Sequence, residues 1–454
     1  MFKVITNAFG IPDLRKKILF TLLIIFLFRV GAAIPVPFLD LPASGILNTE
    51  ESAGTFMEYL SMMTGDAFNY GTIFAMSITP YINSSIIMQL LTVAIPALER
   101  LSKEGEEGRK KIASITRYVT IVLGLIQSTA YFIYLKNQGY LMKDTAGNAY
   151  TGFAAFFQGV VIIATFVAGT ALIMWMGERI NEKGIGNGIS IILFAGIISR
   201  IPTLIASLYS PNIQVGYIAR GGAYYVLAPL AGVFMLLMIA YIVWMDNAEH
   251  RIPVQYAKRV VGRKMYGGQN THIPLKVNMS GVMPVIFASS ILSLPPTIEL
   301  FVNKGADFAE TFWGKFFAVF KSTHWAYAII YFVLIIAFAY FYASIQYNPV
   351  EMANNIRKNS GAIPGIRPGK PTSDYIARIL NRIVLLGALL LSVVALFPII
   401  FSQITSLITI KGVNYAMNIS LGGTSIIIMV GVALETVKQL ESQMMMRHYK
   451  GFLD

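Results

Sequence analysis

The stretch Gly71 to Pro96 reads GTIFAMSITPYINSSIIMQLLTVAIP, and its reading decides the fold. A helix needs about 20 residues to cross a bilayer's hydrocarbon core, so this stretch is long enough to span. It is not a uniform apolar rod. Pro80 removes a backbone donor in mid-stretch, and Asn83, Ser84, Ser85 and Gln89 bring polar side chains to hydrocarbon depth. No water is there to satisfy them, so such groups must face protein or a water-filled path. Helical spacing puts Ile82 and Ile86 on one face, with Ser85 and Gln89 on a neighbouring one. A greasy stripe beside a hydrogen-bonding stripe suits either a helix–helix contact or the wall of a path.

The surrounding chain supplies the membrane context. Of 454 residues, 55% are hydrophobic and 13% charged, the composition of a polytopic membrane protein. Hydropathy predicts ten spans, at about residues 18–36, 71–95, 112–135, 153–177, 188–208, 223–245, 280–300, 325–345, 383–402 and 423–440. Lys and Arg concentrate at the N-terminus, on the even-numbered connections and at the C-terminus, which predicts both termini in the cytoplasm. That asymmetry explains most of the net charge of +13 without nucleic acid. The apolar run Ile18–Val36 exceeds a signal peptide's apolar core and carries Arg29, so it reads as a retained first span. Arg29, costly at that depth, is expected to face another helix or a partner subunit.

No Asp or Glu lies inside a predicted span. Proton- and cation-coupled carriers usually hold such a carboxylate as relay or ion ligand. The chain has no cysteine, and its four histidines lie in loops or beside span ends. No catalytic, metal-ligating or cofactor-binding constellation is therefore expected. Gly184, Gly186 and Gly188 follow a helix rather than a strand, so they read as a tight turn and not a nucleotide loop.

Thr55–Tyr70, TFMEYLSMMTGDAFNY, is apolar on one side and too short to cross. Two readings stand: a re-entrant segment in the mouth of the bundle, or an interfacial helix on the outer leaflet. The connection Leu98–Lys111 reads as charged and flexible. Two cytoplasmic connections are longer than orientation requires. In Asp246–Asn278, alternation of Ile252, Val254 and Tyr256 predicts a short strand or hairpin, with Lys258, Arg259, Arg263 and Lys264 near its tip. In Gln346–Arg382, Asn348 and Pro349 predict the start of a helix carrying Arg357 and Lys358. A stiff segment, IPGIRPGKPTSD, follows and presents Arg367 and Lys370. Orienting charge explains the sign of these loops but not two structured protrusions, which point to a docking surface.

The seventh span, NMSGVMPVIFASSILSLPP, is interrupted by Gly281, Pro284, Ser289, Ser290 and Ser293 much as the second is. Matched broken spans in two halves point to a functional site at an inverted-repeat interface, although no residue-level repeat is evident.

IFAMSITPYINSSIIMQLL, MWMGERINEKGIGNGISIIL, IPLKVNMSGVMPVIFASSI and SGAIPGIRPGKPT together resemble the bacterial SecY protein-conducting channel family over essentially the whole chain. Ser77, and Phe38 after IPVP, stand where that family commonly has glycine. The resemblance implies an all-α polytopic membrane protein of ten transmembrane helices in two inverted-repeat five-helix halves, about 1–208 and 209–454. Its pore ring would be Ile82, Ile86, Ile189, Leu193, Ile286 and Ile428. Residues 55–69 would form a re-entrant plug helix, with Phe56, Met57, Leu60, Met62 and Met63. Asn83, Gln89, Asn278 and Leu294 would line a lateral gate between the second and seventh spans. It also implies SecE and SecG as subunits, the SecA ATPase or the ribosome on the basic loops, signal peptides and secretory chains as cargo, and lipid at the gate. The location would be the bacterial cytoplasmic membrane, with no cofactor and no enzyme activity. An inverted-repeat secondary solute transporter is the alternative.

Overall fold

The computed structural model describes residues 2–42, 45–46, 61, 64–143, 150–209, 217–218, 221–256, 259–261, 264–266, 270–292, 294–299, 311–320, 324–407, 409–410, 413–414 and 422–450. Its first part runs through α1 (Phe2–Phe9), α2 (Pro12–Gly31), α3 (Thr79–Ala94), α4 (Pro96–Lys103), α5 (Glu106–Asn137), α6 (Phe153–Lys183), α7 (Gly188–Ile198) and α8 (Ile201–Tyr209). After α9 (Tyr224–Asn247) come strands β1 (Glu249–Tyr256), β2 (Arg259–Val261), β3 (Lys264–Tyr266) and β4 (Asn270–Lys276). Then follow α10 (Met283–Leu292), α11 (Leu294–Glu299), α12 (Phe312–Val319), α13 (Trp325–Gln346), α14 (Pro349–Lys358), β5 (Gly361–Ala362) and α15 (Lys370–Leu407). A short pair, β6 (Thr409–Ile410) and β7 (Val413–Asn414), leads to α16 (Gly423–Lys450).

The chain is a helical membrane protein. Among the described residues, seven helical segments are long and apolar enough to cross a bilayer, namely α5, α6, α7 with α8, α9, α13 with α14, α15 and α16. The pair α3 and α4, bent by 101°, is a further candidate. The first predicted span is occupied by the 20-residue α2, and the seventh by α10 and α11.

The second span departs from its prediction in an informative way. Its helix begins at Thr79, not Gly71, and Pro80 lies in the first turn. A missing N–H costs nothing there, because first-turn donors have no intrahelical partner. Residues 71–78 are irregular, yet they are enclosed. Ile73 N donates to Ile34 O and Val36 N donates to Gly71 O, at 3.0 and 3.1 Å. Phe74 stacks on Phe28 of α2 with ring centroids 5.8 Å apart. A Cβ at Gly169 of α6 would fall 2.1 Å from Ile73 O, so only glycine admits this backbone. Non-helical chain at membrane depth survives when protein covers it.

The seventh span repeats the device. Pro284 sits in the first turn of α10, and Gly281 just before it has φ +61°. Its counterpart ahead of α3 is Ser77, with φ +48°. The residues matching the two family departures, Phe38 and Ser77, both adopt positive φ.

The connection expected to be flexible is helical instead. Pro96 ends α3 by forcing Ile95 into an extended conformation. It then opens α4, where Lys103 Nζ pairs with Glu99 Oε1 at 2.6 Å. That hydrogen bond and charge hold the Glu99 carboxyl below the usual range.

Between α9 and α10 the predicted hairpin forms. β1 pairs antiparallel with β4, with Ile252 opposite Ile273 and Val254 opposite Thr271, and β2 pairs with β3 at its tip. Asn348 caps α14 as expected, its Oδ1 accepting from Val350 N and Glu351 N at 3.1 and 3.4 Å. The two protrusions are one unit. β5 joins β1 through Gln255–Ala362 and Tyr256–Gly361. Ile252, Val254 and Leu275 share a core with Ala353, Ile356, Ile363, Ile376 and Leu380.

Candidate functional site

Four helices supply the six residues of the expected ring: α3 (Ile82, Ile86), α7 (Ile189, Leu193), α10 (Ile286) and α16 (Ile428). All six belong to, or pack against, the main apolar core, which also runs through α2, α6, α8, α9, α13 and α15. Ile82, Ile86, Leu193, Ile286 and Ile428 are buried, and Ile189 is half-buried against that cluster. Ile189 leans toward α6, where a Cβ at Gly177 would lie 3.4 Å from its Cγ1. Asn187 orients the start of α7 by accepting from Ile189 N at 3.2 Å.

The polar stripe on α3 divides its tasks. Ser84 is fully buried against α5, 2.5 Å from Thr120 Oγ1, and fastens the two helices together. Gln89 Nε2 reaches back to Ser85 Oγ at 3.5 Å. Asn83 Oδ1 is buried without a hydrogen-bond partner. On the opposite side of the expected gate, Leu294 opens α11 and is 52% exposed. Asn278 is buried and donates from Nδ2 to Asp246 Oδ1 at 2.7 Å, while its own Oδ1 has no partner. Asp246, at the end of α9, is a contact that sequence reasoning missed.

Packing sorts the helices. α3 lies on α5, and α10 lies on α13. Among the described residues α3 and α10 share at most sparse contact, whereas α7 and α1 both pack on α16. A close approach of Gly387 on α15 to the Val277 carbonyl seats the lead into α10, and Ser280 Oγ donates to Ala339 O at 3.3 Å.

Of the expected docking residues, Arg357 and Lys358 end α14, and Arg367 and Lys370 flank the turn before α15. All four are exposed, with no ion-pair partner among the described residues. Arg259 and Lys264 lie on β2 and β3. Lys258 and Arg263 fall outside the described residues, as do Phe56, Met57, Leu60, Met62 and Met63 of the expected plug.

With this geometry in place, comparison with known proteins adds ancestry. The family model described as SecY matches residues 72–437. A relative from Mycobacterium tuberculosis named protein translocase subunit SecY is 43% identical over 459 residues, covering 100% of both chains. A solved structure described as a protein conducting channel aligns with TM-score 0.59 at 16% identity, covering 94% of this chain and 92% of that one. Another, described as Sec61 in the canine ribosome-channel complex from the endoplasmic reticulum, aligns with TM-score 0.56 at 15% identity and the same coverage. At such identities the structural likeness speaks for the fold.

Proposed function

The chain belongs to the SecY family, and from that premise we propose that it is the channel subunit of a bacterial protein translocase. It passes unfolded secretory polypeptides across the cytoplasmic membrane and releases signal and transmembrane helices sideways into lipid. Its two halves, residues 1–208 and 209–454, part along the α3–α10 seam, and both termini lie in the cytoplasm. The observation that carries this reading is that Ile82, Ile86, Leu193, Ile286 and Ile428, contributed by four helices, all lie in one buried apolar core, with Ile189 packed against it. It blocks ions at rest, and a polypeptide pushed through can spread it.

The seam suits a gate. Asn83 and Asn278 each leave a buried acceptor unpartnered, an arrangement that holds a closed interface less firmly than apolar packing would. No catalytic group is needed, because the work comes from a docked motor. The joined basic unit of β1–β4, α14 and β5 receives the ATPase SecA or the translating ribosome, and SecE and SecG complete the assembly.

Reconstitution into vesicles tests the function. A radiolabelled secretory precursor should become protease-protected when SecA and ATP are added, while uptake of small solutes stays at background. Solute uptake without precursor transport would overturn the reading in favour of a carrier.

A further inference from the structure

Arg200, just beyond α7, pairs with the carboxylate of Asp66 close to the buried guanidinium of Arg29 of α2. Arg200 Nε lies 3.3 Å from Asp66 Oδ2, and these side chains are 16% and 21% exposed. Asp66 is also the charge that reaches the Arg29 guanidinium. Gly65 is wedged between the same groups. A Cβ there would lie 2.7 Å from the Gly196 carbonyl oxygen, 2.7 Å from Ser199 Oγ and 2.8 Å from Arg29 Nη1. Arg29 Nη1 and Arg200 Nε and Nη1 are buried without hydrogen-bond partners. Asp66 is thus the negative charge beside two largely buried guanidinium groups, and removing it would leave their charges uncompensated.

Asp66 is itself held in place. Ser61 Oγ donates to its Oδ1 at 3.0 Å, and its own N–H donates to Ser61 O at 3.0 Å. Its φ of +70° lies in the left-handed region, which disfavours any residue with a Cβ. Asp tolerates this conformation better than most residues with a Cβ, because its short carboxylate can bond locally, as it does to Ser61.

We propose that Asp66 is a positioning residue that pairs with Arg200, offsets the nearby charge of Arg29, and so clamps the segment Thr64–Tyr70 onto α2 and α7, keeping the outer side of the resting channel closed. This rests on the channel reading above. The chain has no cysteine, so Ala67→Cys, at a position 1% exposed, gives a single probe for a membrane-impermeant maleimide. In the full complex in membranes, Asp66→Asn and Asp66→Gly should each raise its labelling rate and the resting ion conductance at least tenfold. The glycine variant is the sharper of the two, since it relieves the backbone while removing the charge. Arg200→Gln alone should change both readouts less than threefold, because Arg29 keeps its counter-charge. Combining Arg200→Gln with Asp66→Asn should bring both back toward the parent, because one arginine then faces no other.

A merely structural role predicts that the double variant is worse than either single one. That outcome, or an Asp66→Gly channel as closed as its parent, would overturn the clamp. Labelling requires no transport, so the two readings can fail separately. A parent complex that transports no precursor yet shows this labelling pattern refutes the channel and leaves the clamp standing.

Discussion

Ser77 shows what one residue costs at a turn. It is 1% exposed, its hydroxyl has no partner, and its φ is +48°. Left-handed backbone costs a residue with a Cβ about 1–2 kcal/mol, and an unsatisfied buried hydroxyl about 1–3 kcal/mol. Glycine gives back about 0.4–1 kcal/mol through the entropy of the unfolded chain. Ser77→Gly should therefore stabilise the protein by about 1–2 kcal/mol, read as a higher melting temperature in detergent; an unchanged or lower value would show that the turn is not strained. Ile428, 1% exposed in the central cluster, carries a functional prediction. Ile428→Asn puts a water-holding amide among branched aliphatic side chains and should lower the barrier to ions. A shift of about 1.4 kcal/mol toward the open state is a tenfold rise in its population. Resting conductance in planar bilayers should rise accordingly, while Ile428→Val should leave it near the parent value.

At the scale of elements, the lead into α10 is held by a helix that approaches too closely for any side chain. A Cβ on Gly387 of α15 would fall 2.4 Å from the Val277 carbonyl oxygen. Gly387→Ala must therefore push α15 and the gate helix apart, at about the 1–3 kcal/mol typical of overpacking. The expected outcome is a lower melting temperature together with easier opening, measured as transport of precursors whose signal segments are weakly apolar. A stable Gly387→Ala protein with unchanged signal selectivity would show that this contact does not seat the gate. The contact between Ser84 and Thr120 does the corresponding work for α3. Each gate helix is thus fastened to its own neighbours more firmly than to the other.

At the scale of the molecule, the basic loops act as one surface because β5 is stitched to β1. Exposed cations on a shared rigid unit steer a charged partner better than cations on separate flexible loops. Arg367→Glu should slow SecA- or ribosome-driven transport severalfold at low salt, with the defect narrowing as ionic strength rises and protein level unchanged. Wild-type transport at every salt concentration would reduce the loop to an orienting charge. α7 and α1 pack on α16, while α3 and α10 share at most sparse contact among the described residues, as the proposed parting of two halves between them requires.

By itself the sequence determined what depends on neighbours along the chain. Hydropathy located the membrane segments, alternation located the β1–β4 hairpin, and Asn348–Pro349 marked the start of α14, because burial period and capping are local physics. The resemblance named six ring residues, and the structure places five of them in the main buried core with Ile189 packed against it. Tertiary structure decided the rest. The second helix starts at Thr79 because residues 71–78 find partners at Ile34 and Val36 and room at Gly169, and no local pattern encodes that. Arg29 is expected from its depth to face another helix or a partner subunit, but only the fold shows that Asp66, paired with Arg200, supplies the nearby negative charge. Asn278 read as a seam residue, and the structure shows its amide engaged by Asp246, a partner from another helix. Polar and charged groups inside a membrane protein must be satisfied by something. The sequence states the demand, and long-range packing chooses which residue meets it.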